Sequence, residues 1–313
     1  MADFILMCGI PGSGKTTKAK KIAKECSAVY ISSDDLREEM FEDATDQNHN
    51  EEVFTEMNKR TVKALKENKN VVYDSCNISR KRRMAIIRQF KRYNPKFICA
   101  LCYNTYEKCL ENNRKRERVV PDDAVLRMMM NFYFPQKFEG WDEIKIYIPK
   151  DMKPEKDIKE LFYGENGLCN IKHDNHHHSM TIGDHCIATF LDCLGKHPNV
   201  DYIPLHVAAL LHDIGKPLCK SFKDSKGNIS EEAHYYQHHL ASAYIAFPYV
   251  VNCDICGNLH KKFEIIALID YHMQPYFWEK DNNEDMRKKY LEIWGEDLYD
   301  KIMLLHEADK IAH

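Results

Sequence analysis

The segment Gly9-Ile10-Pro11-Gly12-Ser13-Gly14-Lys15-Thr16 restricts this chain more than any other. A glycine-rich turn of that spacing, entered from a strand and left through a helix, matches the P-loop pattern for cradling a phosphate chain. The flanks fit: Phe4 to Cys8 reads as a buried strand and Lys15 to Cys26 has helical spacing. Glycines let the backbone turn its N–H groups inward, and the helix N-terminus adds partial positive charge. Gly9, Gly12, Ser13, Gly14, Lys15, Thr16 and Thr17 are therefore expected to bind a nucleotide. Lys15 would reach the β- and γ-phosphates and Thr16 would offer its hydroxyl to Mg²⁺, the expected ligand being ATP or another nucleoside triphosphate.

The rest of the N-terminal half repeats this alternation. Ala28–Ile31, Asn70–Tyr73, Phe97–Tyr103 and Ile144–Ile148 are further strand candidates. Glu51–Lys66, Ser79–Tyr93, Tyr106–Asn113 and Asp122–Phe132 are helix candidates. Strands alternating with helices imply a parallel sheet flanked by helices. From Pro149 to Glu165 the chain is charged and turn-rich, and beyond it the strand signal largely disappears. The helical candidates there are Ile182–Leu194, Pro204–Asp213, His239–Phe247, Phe263–Tyr271, Asp285–Ile293 and Leu298–Ala312. A length of 313 residues suits two domains, which we place at 1–150 and 166–313 with a linker at 151–165. The fold class expected is α/β followed by all-α.

Composition excludes some classes. With 44% hydrophobic and 30% charged residues, no apolar run approaches the roughly 20 residues that cross a bilayer, so no membrane role is expected. The N-terminus lacks the pattern of a secretion signal, and the twelve cysteines are scattered. Both point to free thiols in a reducing compartment, the cytoplasm. A net charge of −3 conceals basic clusters at Arg80-Lys81-Arg82-Arg83 and at Arg114, Lys115, Arg116 and Arg118, which suit phosphate-rich ligands or a solvated helix face.

Phosphoryl transfer to a hydroxyl calls for a carboxylate to deprotonate it and arginines to offset charge on the moving group. Ser32-Ser33-Asp34-Asp35-Leu36-Arg37 follows the second strand candidate, where sheet loops face a ligand crevice. Asp34 is a candidate base there; equally, Asp34 or Asp35 caps a helix starting near Leu36. With Gly9–Thr17, Ser33-Asp34-Asp35-Leu36-Arg37, Asp74-Ser75-Cys76-Asn77 and Asn113-Arg114-Lys115-Arg116 leading to Val120-Pro121, the first 150 residues resemble the polynucleotide 5′-hydroxyl kinase family. The resemblance implies an α/β P-loop kinase in which Asp34 is the general base, Arg37 contacts the acceptor end and Arg116 is a lid arginine on the nucleotide, helped by Arg118. Cys76 stands where many relatives have threonine.

In the C-terminal half, Leu210-Leu211-His212-Asp213-Ile214-Gly215-Lys216 ends an apolar helix with adjacent metal-capable residues, and His185, His238, His272 and Asp309 lie around it. Imidazoles and carboxylates drawn from several helices can enclose one or two divalent ions, with Asp213 bridging. This series, with His176-His177-His178-Ser179-Met180-Thr181-Ile182-Gly183-Asp184-His185 before it, resembles the HD phosphohydrolase superfamily. The resemblance assigns His185, His212, Asp213 and Asp309 to one metal, and His238 and His272, sharing Asp213, to a second. The expected metals are Mn, Fe, Ni, Co or Zn, and Lys216 would approach the substrate phosphate. Gln237 stands where relatives often have glycine, leaving His234 or His239 as substitutes for His238. His176, His177 and His178 line the pocket or form a polar turn. Cys253, Cys256 and His260 offer half of a zinc site.

The preferred function is nucleic-acid end repair: 5′-phosphorylation of RNA or DNA ends, and removal of 3′-phosphate or 2′,3′-cyclic phosphate, for a separate ligase. A small-molecule nucleoside or nucleotide kinase fused to an HD nucleotidase is the alternative. A third reading is a nucleotide-responsive regulator whose HD part does not hydrolyse.

Overall fold

The structure, a computed structural model, describes residues 1–175 and 179–312; the expectation for His176, His177 and His178 lies outside the described residues. The chain divides into two compact units, one of Met1–Met128 with Pro135–Met152, the other of Met129–Phe134 with Lys153–His313.

In the first unit, β1 (Asp3–Cys8), β2 (Val29–Ser32), β3 (Val71–Asp74), β4 (Lys96–Cys102) and β5 (Glu143–Tyr147) form one parallel sheet in the order β2-β3-β1-β4-β5. All five lie within a residue or so of the sequence expectation. The central strand β1 is buried along nearly its whole length because helices cover both faces, which is why it reads as a continuous apolar run rather than an alternating one. Its side chains still alternate. Ile5 and Met7 pack with Ala19, Ile22 and Ala23 of the helix Lys15–Glu25 and with Val72, Ile98 and Ala100 of the neighbouring strands. On the other face Phe4 meets Tyr73, Phe90 and Phe97 at ring separations of 5.8, 5.2 and 5.8 Å.

The chain leaves β1 towards β2 and later reaches β4 on the opposite side. Loops at the carboxyl ends of β1 and β4 therefore part in opposite directions, the arrangement that opens a ligand crevice in α/β sheets.

The basic cluster after β3 is not uniform. Arg83 is fully buried and pairs with Glu139 through two hydrogen bonds of 2.8 and 2.6 Å, while its third nitrogen donates to the carbonyls of Asn77 and Ile78 at 3.0 Å each. Glu139 also accepts from the Trp141 indole at 3.0 Å. Arg83 is thus a structural cation that holds the turn after β3, neither of the two roles expected for its cluster. Arg82 instead stacks on Phe54, its guanidinium carbon 3.5 Å from the ring centroid.

The second unit is helical, with one addition: a two-stranded antiparallel hairpin, β6 (Ser221–Lys223) with β7 (Ile229–His234). Its main helices are Ile182–Lys196, Ile203–Leu211, His238–Val251, Leu259–Tyr271, Glu284–Trp294 and Glu296–Ile311. Ala208, Leu240, Ile265, Ile269, Ile302 and Leu305 are buried in its core. Phe132 and Phe134, in the short segment that packs with this unit, meet Tyr244 and Phe247 at 5.4 and 4.8 Å. The segment expected as a linker carries a short helix, Ile158–Tyr163, capped by the Asp157 side chain, with Phe162 buried. No described helix is long and apolar enough to cross a membrane.

The Arg83 pair yields a stability test. Glu139→Ala leaves a buried guanidinium without its carboxylate, and should lower the unfolding free energy of the N-terminal unit by about 3–5 kcal/mol, read from urea denaturation.

Candidate active sites

In the first unit the turn between β1 and the helix Lys15–Glu25 is tied down on both sides. The Gly9 N–H donates to the Cys76 carbonyl at 3.0 Å, and the Asn112 amide donates to the Gly12 carbonyl at 3.0 Å. Gly12 has φ +81°, and a Cβ there would lie 2.0 Å from the Cys109 carbonyl oxygen, so only glycine fits between the turn and the helix Tyr106–Arg114. Gly14 caps the helix in a left-handed conformation with no side-chain capping bond. The first N–H groups of that helix therefore have no intrahelical acceptor and face a cavity of about 290 Å³ lined by Gly12, Gly14, Lys15, Thr16, Thr17, Asn112 and Arg116. The expected lid arginine thus shares one cavity with Gly12, Gly14, Lys15, Thr16 and Thr17, whereas Gly9 and Ser13 of the expected phosphate-binding set are not among its lining residues.

Lys15 is buried, and although burial favours its neutral form, neighbouring Cys76, Asp74 and Asp34 raise its pKa and hold it charged. Asp74, at the end of β3, has no role of its own among the sequence expectations. It accepts from the Tyr30 hydroxyl at 2.8 Å and from the Thr16 hydroxyl, while its Oδ1 is buried with no hydrogen-bond partner. Burial raises its pKa against the opposing pull of Lys15. A hydroxyl beside a carboxylate with a spare buried oxygen is the oxygen donor set that suits Mg²⁺ at a P-loop.

Asp34 does not cap its helix. The helix Ser33–Phe41 is capped by Ser32, whose hydroxyl accepts from the Asp35 N–H at 3.2 Å, and Asp34 and Asp35 occupy the first turn, where carboxylates complement the helix dipole. The Asp34 carboxylate is 43% exposed and sits between Arg37 and Arg118, each at 3.1 Å. Arg37 is buried and also donates to Asn50 at 2.7 Å. The loop carrying Arg116 and Arg118 is closed by Asn113, whose amide donates to the Val120 carbonyl at 2.7 Å and accepts from its N–H at 3.1 Å.

In the second unit the spaced sequence positions converge. Asp213 Oδ2 lies 3.4 Å from His185 Nε2 and 3.3 Å from His212 Nε2, and its Oδ1 lies 3.2 Å from His238 Nε2 and 3.8 Å from His272 Nε2. Asp309 Oδ1 approaches His185 and His212 at 2.9 and 3.5 Å. Each histidine donates from Nδ1 to a backbone carbonyl: His185 to Ala312, His212 to Ala209, His238 to Tyr235 and His272 to Ile269, at 2.7 to 2.9 Å. Those bonds commit the Nδ1 protons and turn four Nε2 lone pairs inward. The Nε2 atoms face each other in two pairs, each 3.2 Å apart. Lone pairs so placed repel unless a cation or proton lies among them, and three overlapping ligand groups of His185, His212, Asp213, His238, His272 and Asp309 can hold one. The donor set therefore fits divalent metal.

Electrostatics follow the same division. Burial opposes charge on His212, but the Asp213 and Asp309 carboxylates lift its pKa to about 10. His272 is driven well below its ordinary value by burial and by His212 and His238. The ammonium of Lys216 lies 2.5 Å from Asp213 Oδ2 and 3.2 Å from His173 Nε2. His173 donates from Nδ1 to the Met180 carbonyl at 3.0 Å, so its Nε2 accepts from Lys216; burial and that ammonium push its pKa down to about 4. His173 carries no sequence signal of its own beside the nearby run of three histidines. Tyr276 likewise lies outside the sequence expectations, and its hydroxyl donates to Asp309 Oδ2 at 2.9 Å. Gly215 allows the His212-to-Lys216 turn to meet the helix His238–Val251, since a Cβ would lie 2.4 Å from the Ser242 nitrogen.

These groups open on a cavity of about 570 Å³. His234 and His239 line its wall but, among the described residues, join none of the ligand groups; His238 is the ligand-capable residue of the three. Cys253, Cys256 and His260 likewise join none, and burial with the Cys253 contact pushes the Cys256 thiol up to about 12.

Residues 4–135 match the family described as the AAA domain, and residues 182–312 match the HD domain. The chain thus carries a P-loop domain followed by an HD domain. No curated protein matches the chain. Among solved structures, a chain of the Pnkp1/Rnl/Hen1 RNA repair complex is 21% identical with a TM-score of 0.39, the match covering 42% of this chain and 43% of that one. This chain therefore spans less than half of that chain's length. A putative kinase from Chloroflexus aurantiacus j-10-fl is 14% identical, with a TM-score of 0.39 and coverage of 47% and 84%. A gluconokinase from Sinorhizobium meliloti 1021 is 15% identical, with a TM-score of 0.35 and coverage of 46% and 81%.

Two outcomes follow from the geometry. Gly12→Ala should weaken ATP binding at least tenfold in titration calorimetry, because the added methyl collides with backbone at a φ that alanine avoids. Asp213→Ala should abolish retention of Mn²⁺ after gel filtration, measured by elemental analysis, with circular dichroism confirming the fold.

Proposed function

We propose that the chain heals nucleic-acid ends: the P-loop domain phosphorylates 5′-hydroxyl termini with ATP, and the HD domain removes 3′-phosphate or opens 2′,3′-cyclic phosphate. The placement of Asp34 carries this reading. A half-exposed carboxylate between Arg37 and Arg118, in electrostatic reach of Lys15, suits an acceptor hydroxyl attached to a polyanion better than a neutral metabolite.

In the kinase half, Asp34 accepts the proton of the attacking 5′-hydroxyl, and Arg37 holds the acceptor end. Lys15 and Arg116, lining one cavity, offset negative charge on the transferred phosphoryl oxygens. Thr16 and Asp74 would hold Mg²⁺, which would supply positive charge against the negative charge that develops on the phosphate oxygens. Arg82, stacked on Phe54, gives a downstream phosphate a cationic partner.

In the HD half, His185, His212, Asp213 and Asp309 would hold one divalent ion, and His238 and His272 with Asp213 a second. Such ions polarise phosphoryl oxygens and acidify water. Lys216, fixed between Asp213 and His173, presents a positive charge to the departing phosphate. Tyr276 orients Asp309 through its hydroxyl. A 5′-phosphate from one half, and the 3′-hydroxyl that the other frees by removing a 3′-phosphate or by opening the cyclic ester to a 2′-phosphate, are the pair that a ligase consumes.

End-labelling of a 5′-hydroxyl oligonucleotide by γ-labelled ATP and Mg²⁺ tests the first half. Asp34→Asn should cut labelling by about 10²- to 10⁴-fold without affecting phosphate release from a 3′-phosphorylated oligonucleotide. Asp213→Asn should do the reverse. Phosphorylation of a mononucleoside as fast as of the oligomer would move the assignment to a small-molecule kinase, and an inert chain in both assays would refute end healing.

A further inference from the structure

We propose that the HD cavity holds a nucleobase as well as a phosphate, stacking it on Tyr236 and reading its edge with the side-chain amide of Gln237. This deepens the end-hydrolysis reading above and rests on it for the identity of the phosphoester.

The cavity has two unlike walls. One is the cluster of Asp213, Lys216, His238, His272 and Asp309. The other is aromatic and aliphatic, built by Tyr235 and Tyr236 after β7 and by Met273, Tyr276 and Phe277 at the start of the helix Gln274–Asp281. At about 570 Å³ the space lies in the range of sites that enclose whole small molecules, more than a phosphate group fills. Tyr236 is 46% exposed and Phe277 51% exposed, and both line the cavity that Asp213, His238, His272 and Asp309 also line. Any nucleobase offers a π-face to such rings.

Tyr236 is held as a platform rather than left as a free side chain. Its ring lies nearly parallel to that of His234, with an interplanar angle of 6° and centroids 5.5 Å apart. The His234 ring is in turn fixed by Ser230 Oγ at 3.1 Å from Nε2. The base of the hairpin is anchored: the Ala233 N–H donates to the Asp174 carbonyl at 2.9 Å, the Tyr235 hydroxyl donates to the His173 carbonyl, and Lys220 pairs with Asp174. Because His173 also contacts Lys216, the stacking wall and the phosphate-facing lysine are held by one segment.

Gln237 supports the same assignment independently. It adopts φ +63° at the start of the helix His238–Val251, in the left-handed region that glycine enters without cost and glutamine does not. Its side chain makes no capping hydrogen bond that would offset this strain. Instead it lines the cavity beside Tyr236. Strain tolerated in a cavity wall is a mark of function, and a primary amide, with one acceptor and two donors, can pair with the edge of a base. Asn175 lines the same cavity with a second amide.

The test compares phosphate release from a 3′-phosphorylated oligonucleotide with release from the same oligonucleotide ending in a stable abasic sugar 3′-phosphate, using the Mn²⁺-loaded full chain. The base-bearing end should be preferred by roughly 5- to 150-fold in kcat/KM, and Tyr236→Ala should collapse that ratio towards one. Gln237→Gly should keep or raise the melting temperature while flattening discrimination among the four terminal bases. Equal rates on the two ends, or a ratio indifferent to Tyr236→Ala, would overturn the platform; unchanged base discrimination in Gln237→Gly would overturn the edge reading. Should neither oligonucleotide release phosphate, the end-hydrolysis reading fails and calorimetry with a nucleoside 3′-monophosphate and with ribose 5-phosphate decides the platform. Tighter binding of the nucleotide, lost in Tyr236→Ala, supports it, and equal or absent binding refutes it.

Discussion

Asp213 bears the electrostatic load of the C-terminal unit. Its carboxylate is almost wholly buried among four imidazole nitrogens and one ammonium, and a buried anion is tolerated only where partners replace the water it has lost. In their neutral form the four histidines have no proton left on Nε2 for it, because each donates its Nδ1 proton to a backbone carbonyl. The carbonyls are those of residues near helix ends, so the arrangement is built into the packing of the helices rather than added by flexible side chains. What results is a crowd of ring nitrogens and carboxylate oxygens at one point, whose repulsion a proton, as on His212, or a divalent cation relieves.

The P-loop domain presents the complementary deficit. There the start of the helix Lys15–Glu25 has no side-chain cap for its first backbone donors, and Lys15 and Arg116 line the same cavity. Anionic oxygen is the ligand type that would satisfy them. The chemistry of the two domains can be stated in the same terms: in each, close packing forces polar groups into an unpaired state that one class of ligand relieves.

Residues of one type serve differently in different settings. Arg82 and Arg83 are neighbours, yet one stacks on the Phe54 ring and the other is sealed against Glu139. His173 is a contact of Lys216, His234 supports a tyrosine ring, and His238 faces Asp213. Residue type marks what each side chain can do. Surroundings select which of those capacities is used.

Much of the fold and of both sites is legible in the amino-acid order alone. The five strands of the sheet can be read because each is a short apolar run, and the glycine-rich turn after β1 because its glycines answer local backbone requirements, as Gly12 does with its φ of +81°. The histidine and aspartate series is recognisable by its order and spacing. Local sequence does not reach Asp74, His173 or Tyr276 in the same way, nor the helix cap at Ser32 or the hairpin β6–β7. Their roles depend on what lies across a gap of many residues: Asp74 on Thr16 and Tyr30, His173 on Lys216, Tyr276 on Asp309. The sequence by itself determined the backbone patterns and the chemical repertoire, since periodicity, glycine and ligand type act over a few residues. Only the tertiary structure decided which side chains share a pocket and which ring nitrogens face inward, because those follow from packing between distant helices and strands.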